Sequence, residues 1–190
     1  MNLFKLDPDL FTLGKIIGGG LPIGAVCGKK EIMKLADATL DNNKSSYCSI
    51  GGGTFSANPL TMKAGYHTLK QLRKNPGIYE KINNLGEVAR RELSKLFVEL
   101  GIRVQVTGIG SLFMVHFLNE RTDRIENAID AALGDKELLV NYNLALMAKH
   151  GIFFLPGKMG AFSNANEKKD VLSLVDSTRR IFEQNKQQRE

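Results

Sequence analysis

Two short stretches of this chain carry residue types that could do chemistry. The first is Thr12-Leu13-Gly14-Lys15-Ile16-Ile17-Gly18-Gly19-Gly20-Leu21-Pro22-Ile23-Gly24-Ala25, which sets a single amine, that of Lys15, among Leu13, Ile16 and Ile17. Apolar surroundings disfavour the charged form of a lysine, and a neutral amine is a nucleophile toward aldehydes, with which it forms a Schiff base. The glycines around it would let the backbone lie close to a flat ligand. A lysine at a strand end that reaches out to water fits the same pattern, so the stretch alone leaves both readings open. The second stretch is Gly51-Gly52-Gly53-Thr54-Phe55-Ser56-Ala57-Asn58-Pro59. Backbone N–H groups of a glycine run, a threonine hydroxyl and a helix start all favour an anion such as phosphate. A loop ahead of an ordinary helix cap is the competing reading.

Other chemistries find no support. Neither a G-x-x-x-x-G-K-[ST] loop nor a G-x-S-x-G elbow occurs. His67, His116 and His150 stand far apart, each on an apolar-patterned element or at its end, so no metal site is expected. Cys27 and Cys48 are too few for a disulfide framework and read as small core residues, which suits a reducing cytoplasm. The net charge of +6 suits an anionic ligand. The basic residues are scattered over helix surfaces without interleaved aromatic rings, so nucleic acid is not expected as a partner. No apolar run approaches the twenty or so residues of a membrane span, and no secretory leader is evident, so neither a membrane nor export is expected.

The elements that would position these residues follow from pattern. Nine of the 19 glycines lie in the first 53 residues, which marks tight turns or a close approach to a ligand. Residues 10–17 are β-prone with a break at Gly14-Lys15, residues 22–28 read as a short buried strand, and Lys30 to Ala38 as a helix. Residues 41–53 read as a polar loop. Asn58 can cap a helix and Pro59 suits its first position, giving a helix to about Lys74. After Asn75-Pro76-Gly77, apolar residues at Ile78, Ile82, Leu85, Ala89, Leu93, Leu96 and Leu100 predict an amphipathic helix ended by Gly101. The period then becomes two. Ile102, Val104 and Val106 predict one strand, residues 107–111 a turn, and Leu112 to Leu118 a second strand. Residues 119–134 carry a weak helical pattern at Ile125, Ile129 and Leu133. Lys136 to Lys149 predicts a helix with Leu138, Leu139, Tyr142 and Leu146 on one side. Gly151 to Leu155 reads as a short strand and Pro156 to Gly160 as a loop. Residues 167–184 predict a last helix with Val171, Leu174, Val175, Thr178 and Phe182 inward. One or two strands in the first part cannot complete a sheet, so that part needs strands from elsewhere.

Taken together, the two chemical stretches resemble the class III, pyridoxal-phosphate-dependent aminotransferases, near the branch that contains glutamate-1-semialdehyde aminomutase. The resemblance starts at Pro8-Asp9-Leu10 and runs through LGKIIGGGLPIGA and GGGTFSANPLTMKAG. It continues more weakly through GIGSLFMVHF and HGIFFLPG, and so covers nearly the whole chain. It implies an α/β fold: part of the large domain of fold type I over residues 1–75, a connecting helix over 76–100, and an α+β small domain over 101–190.

The resemblance also implies roles. Lys15 matches the lysine that forms the internal aldimine with pyridoxal 5'-phosphate and later shuttles protons. Thr54, with the Gly53 amide, matches the group that holds the cofactor phosphate. In the family that threonine reaches the neighbouring subunit's site, which implies a homodimer. The expected reaction moves an amino group between an amino acid or amino-aldehyde substrate and an aldehyde or keto acid. Two departures stand out. Members of the family run to more than twice this length, so the chain resembles their C-terminal half, and catalysis by this chain alone is not expected. The aminomutase branch carries a phenylalanine–glutamate pair in a C-terminal loop that here reads Pro156-Gly157-Lys158-Met159-Gly160-Ala161-Phe162. That leaves the substrate open, with Lys158 either a carboxylate-binding residue or a solvated loop residue. A non-catalytic remnant, kept as a dimerisation module, is the alternative reading.

Overall fold

The computed structural model describes residues 4–37 and 53–187, with side chains described as far as residue 184. The chain divides into two compact units, Met1–Pro76 and Gly77–Glu190.

In the first unit, β1 (Leu10–Gly14) runs antiparallel to β2 (Gly24–Gly28), pairing Leu10 with Gly28 and Gly14 with Gly24. A single 3-10 turn, Lys15–Gly18, leaves β1. A short helix, α1 (Lys30–Met33), follows β2 and tightens into a further 3-10 turn, Lys34–Ala36. The next helix, α2 (Pro59–Lys74), begins as its sequence dictates. Asn58 Oδ1 accepts from the Leu60 and Thr61 amides at 3.0 and 3.2 Å, while Pro59 has no N–H to leave unpaired.

The expectation of a buried strand over residues 22–28 is corrected: no residue of β2 is buried, and Leu10, Leu13 and Val26 are exposed. Two strands alone are too few to bury their own faces. The helix α2 buries its small residues Thr61 and Gly65 and exposes Leu60, Met62, Tyr66 and Leu69. The polar loop expected over residues 41–53 lies outside the described residues except for Gly53.

The second unit is built on α3 (Gly77–Glu99), whose steps of three and four put Leu85, Ala89, Leu93, Leu96 and Phe97 into the core. Gly101, at φ +67°, ends it. A three-stranded antiparallel sheet follows, ordered β3 (Val104–Thr107), β4 (Leu112–Phe117), β5 (Gly160–Ala161). Alternation along β4 turns Phe113, Val115 and Phe117 toward the core that α3, α5 (Lys136–His150) and α6 (Lys168–Gln187) share. Phe97, Phe117, Tyr142 and Phe182 meet there at ring-centroid distances of 5.7–6.4 Å, mostly edge-to-face. The Arg90 guanidinium of α3 donates to the Gly110 and Leu112 carbonyls at 2.8 and 2.6 Å and so ties the β3–β4 turn to the helix.

Two expectations differ here. Residues 151–155 form no strand; the third strand is instead Gly160–Ala161, paired to Leu112 and Phe113. The 151–155 segment alternates, with Phe154 buried and Phe153 exposed, but its amides enter no ladder. Within 119–134 the helix is only α4 (Ala128–Leu133), closed by a capping box between Asn127 and Asp130. Ile125, buried, precedes it, while Ile129 is exposed. The sequence pattern passed over one polar core position, Asn143, while Tyr142 and Thr178 face inward as their helical spacing predicts. Asn143 is buried and accepts from the Gly157 amide at 2.9 Å, holding the turn after Pro156 against α5. Tyr142 and Thr178 are buried and joined through their hydroxyls at 2.7 Å.

Candidate functional site

Lys15 stands where β1 stops. Gly14 is extended, Lys15 itself takes the left-handed conformation at φ +56°, and the chain then turns, with Gly19 N donating to Ile16 O at 3.0 Å. A non-glycine residue held left-handed stores roughly 1–2 kcal/mol, so its surroundings must impose the conformation. Those surroundings are Ile23 and α2. A methyl on the buried Gly18 would stand 2.9 Å from Ile23 Cγ2. A methyl on Gly19 would stand 2.6 Å from Thr68 Oγ1 and 2.7 Å from Ala64 O. A methyl on Gly65 of α2 would overlap the Ile17 carbonyl oxygen. The turn after Lys15 is thus seated on the backbone of α2 at Ala64 and Gly65, with the Thr68 hydroxyl beside Gly19. The sequence pointed to the glycines of the turn; its signal for the seat was the lone Gly65 within a helical pattern.

The Lys15 side chain is exposed, as is that of Ile16. The apolar enclosure expected around the amine is therefore not formed by the described residues of this chain.

Gly53 and Thr54 begin a turn closed by Ser56 N donating to Gly53 O at 2.9 Å, and Ala57, at φ +52°, redirects the chain into the cap of α2. This turn faces Pro22, Ile23 and Gly24 across an open cleft of about 580 Å³. Thr54, Ser56, Asn58 and Thr61 supply its polar lining, and no acidic side chain among the described residues lines it. Because Asn58 occupies the Leu60 and Thr61 amides, an anion here would draw on the Gly53–Ser56 turn rather than on the first turn of α2. The structure therefore gathers Gly53 and Thr54 in one cleft, while Lys15 is not among the residues that line it.

In the second unit two histidines are enclosed. His116 Nε2 lies 2.9 Å from Thr107 Oγ1, and burial holds its pKa below the ordinary histidine value. His150 Nε2 is shielded from solvent without a hydrogen-bond partner among the described residues, beside a cavity of about 390 Å³ lined by Phe113, Phe154, Phe162 and Asp170. Asp170 is committed elsewhere: its carboxylate accepts from the Glu167 amide at 2.8 Å, which holds its pKa below the usual carboxylate range.

The model of the family described as Aminotransferase class-III matches residues 1–151. The chain is 38% identical over 170 residues to glutamate-1-semialdehyde 2,1-aminomutase 2 of Lachnoclostridium phytofermentans, covering 88% of this chain and 37% of that protein. Among solved structures, an omega-transaminase from Sphaerobacter thermophilus superposes with a TM-score of 0.79 at 32% identity, covering 96% of this chain and 40% of the other. A transaminase with PLP bound superposes with a TM-score of 0.75 at 26% identity, covering 97% and 40%. The chain thus spans about two fifths of the length of the proteins it matches.

Proposed function

This chain belongs to the class-III aminotransferases, and from that premise we propose that it forms the lysine-bearing part of an enzyme that moves an amino group with pyridoxal 5'-phosphate. The observation that carries the reading is the strained turn at Lys15, where a nucleophilic side chain leaves the end of a strand on a backbone fixed by its neighbours. The cleft at Gly53 and Thr54 fits a phosphate: it is concave, carries hydroxyls on a tight turn and has no opposing carboxylate among the described residues.

When bound, pyridoxal phosphate supplies an aldehyde carbon and an electron-withdrawing ring that stabilises negative charge on the substrate. The chain's own residues do the rest. Lys15 Nζ is the amine that would hold the cofactor's aldehyde and, once freed by the incoming substrate amine, would be the base that moves a proton at the substrate carbon that bears nitrogen. Thr54 Oγ1 and the Gly53 N–H hold the phosphate. Substrates are a small amino acid or amino-aldehyde and a carbonyl acceptor, as for a transaminase or a glutamate-1-semialdehyde aminomutase.

That Lys15 and Thr54 do not share a cleft in one chain supports a homodimer in which they serve different sites, and the exposed Phe55 and Leu60 beside Thr54 suit burial there. A cytoplasmic setting goes with this reading. The domain assignment is proposed with it: residues 1–75 as part of the large domain, 76–100 as a connecting helix and 101–190 as the small domain. The exposure of the Lys15 amine favours a second reading, a non-catalytic module that keeps the fold and the dimer contact but not turnover.

Titration with pyridoxal phosphate, borohydride reduction and peptide mass mapping separate the two. A reduced adduct concentrated on Lys15, and lost in Thr54→Ala at low cofactor concentration, supports the catalytic part. Adducts spread over the surface lysines in proportion to exposure reject it for this chain. Amino donors added before reduction should show no turnover by the chain alone.

A further inference from the structure

We infer that Gly65 is a positioning residue for Lys15. By presenting bare backbone to the Ile17 carbonyl, it lets the turn after β1 sink onto α2 and so holds Lys15 in its left-handed conformation. The inference rests on the reading of Lys15 as the reactive amine and adds the device that aims it.

Three observations carry it. Gly65 is buried in the middle of α2, where glycine costs about 1 kcal/mol relative to alanine, so propensity does not explain its presence. A methyl at this position would overlap Ile17 O and stand 3.6 Å from Gly18 Cα, and both neighbours are backbone, which cannot swing aside as a side chain does. One turn along the helix, the same seat closes on Gly19, which Thr68 Oγ1 and Ala64 O confine. Ile17 and Gly18 follow Lys15 by two and three residues, within one 3-10 turn, so a shift at their backbone is passed directly to the φ of Lys15. The result is a two-point seat, Gly65 under Ile17 and Ala64–Thr68 under Gly19, that fixes where β1 ends and in which direction its amine leaves.

The test is Gly65→Ala, compared with Gly86→Ala as a matched control. Gly86 is the equivalent tight spot in the second unit, where a methyl would overlap the Gly110 carbonyl oxygen, so this variant disturbs packing without touching the lysine turn. Thr68→Leu presses on the Gly19 end of the seat and serves if Gly65→Ala fails to fold. Two readouts are taken. The first is the Lys15 13Cα shift, which reports whether its backbone stays left-handed. The second is the share of reducible pyridoxal phosphate adduct found on Lys15.

The expected result is that Gly65→Ala, or Thr68→Leu, moves the Lys15 shift to an ordinary extended or helical value. The Lys15 share of the adduct should fall about tenfold, since displacements of about 1 Å cost up to ~10²-fold where a reacting group is well aimed. Gly86→Ala should leave both unchanged. A left-handed Lys15 in folded Gly65→Ala and in folded Thr68→Leu overturns the inference. Absence of any preference for Lys15 in the unmodified protein overturns the functional reading instead, while the shift still decides the role of Gly65.

Discussion

Tyr142 and Thr178 form a buried pair whose hydrogen-bond polarity is fixed by a third atom. Thr178 Oγ1 lies 2.8 Å from the Leu174 carbonyl, which can only accept, so the single hydroxyl proton of Thr178 points there. Tyr142 must then be the donor across the 2.7 Å contact. The two deletions are therefore unequal. Tyr142→Phe removes the donor and leaves an under-used acceptor, at a cost of about 1 kcal/mol. Thr178→Val leaves the Tyr142 hydroxyl buried without an acceptor, at a cost of about 2–3 kcal/mol, while the Leu174 carbonyl keeps its helical N–H. With both changes the orphaned donor is gone, so the double variant should cost about 1–2 kcal/mol less than the sum. Amide exchange in α5 and α6 under increasing urea reads this unit directly. A Thr178→Val no more destabilising than Tyr142→Phe would refute the assigned polarity. The phenol adds an alkaline signature. Burial raises its pKa well above the ordinary 10.0, so its contribution is present below the unfolded value and is lost as pH rises beyond it. Tyr142→Phe should lack that part of the alkaline loss.

Other expectations concern charge. The folded pKa of His116 is depressed, so its contribution is present above the unfolded value of about 6.5 and is lost as pH falls; the urea midpoint of the second unit should drop between about pH 7 and 5, and less so in His116→Gln. Asp170, also depressed, stabilises above its unfolded value and loses this as pH falls through the folded one; Asp170→Asn should flatten the acid limb of a thermal-melt series. Arg90→Met, which leaves the Gly110 and Leu112 carbonyls without their shared donor, should cost about 2 kcal/mol by denaturant unfolding and speed exchange of the turn amides.

How far the sequence reaches depends on whether local physics decides. The apolar steps of α3 and the Asn58–Pro59 start of α2 are local matters, and the structure shows both. The helix bearing Leu139, Tyr142 and Leu146 was legible for the same reason, but Asn143 was not. Its burial depends on a distant amide, that of Gly157, and no periodicity encodes such a partner. The strand expected at 151–155 had the right apolar content; which segment joins β4 is settled by ladder geometry, and Gly160–Ala161 takes that place. At the candidate site, the residue types of Lys15, Gly53 and Thr54 stood out in the sequence. The left-handed backbone at Lys15 did not, because it arises from the contact with α2, nearly fifty positions away in the chain. The exposure of β2 was unreadable too, since an apolar pattern records what a segment can bury and not whether a cover is at hand.

The clamp of Asn143 on Gly157 bears on how this protein can vary. The buried amide grips the turn at its base, where Gly157 is left-handed at φ +71° and Lys158 N closes back on Leu155 O at 2.9 Å. The positions just beyond, Lys158 and Met159, ride on a fixed mount and take no part in the buried core. Exchange of those two side chains alters the chemistry the turn displays without repacking α5 or re-registering β5. A library confined to residues 158 and 159 should therefore hold nearly constant stability across its members, and selection there would act on what the turn recognises rather than on whether the chain folds.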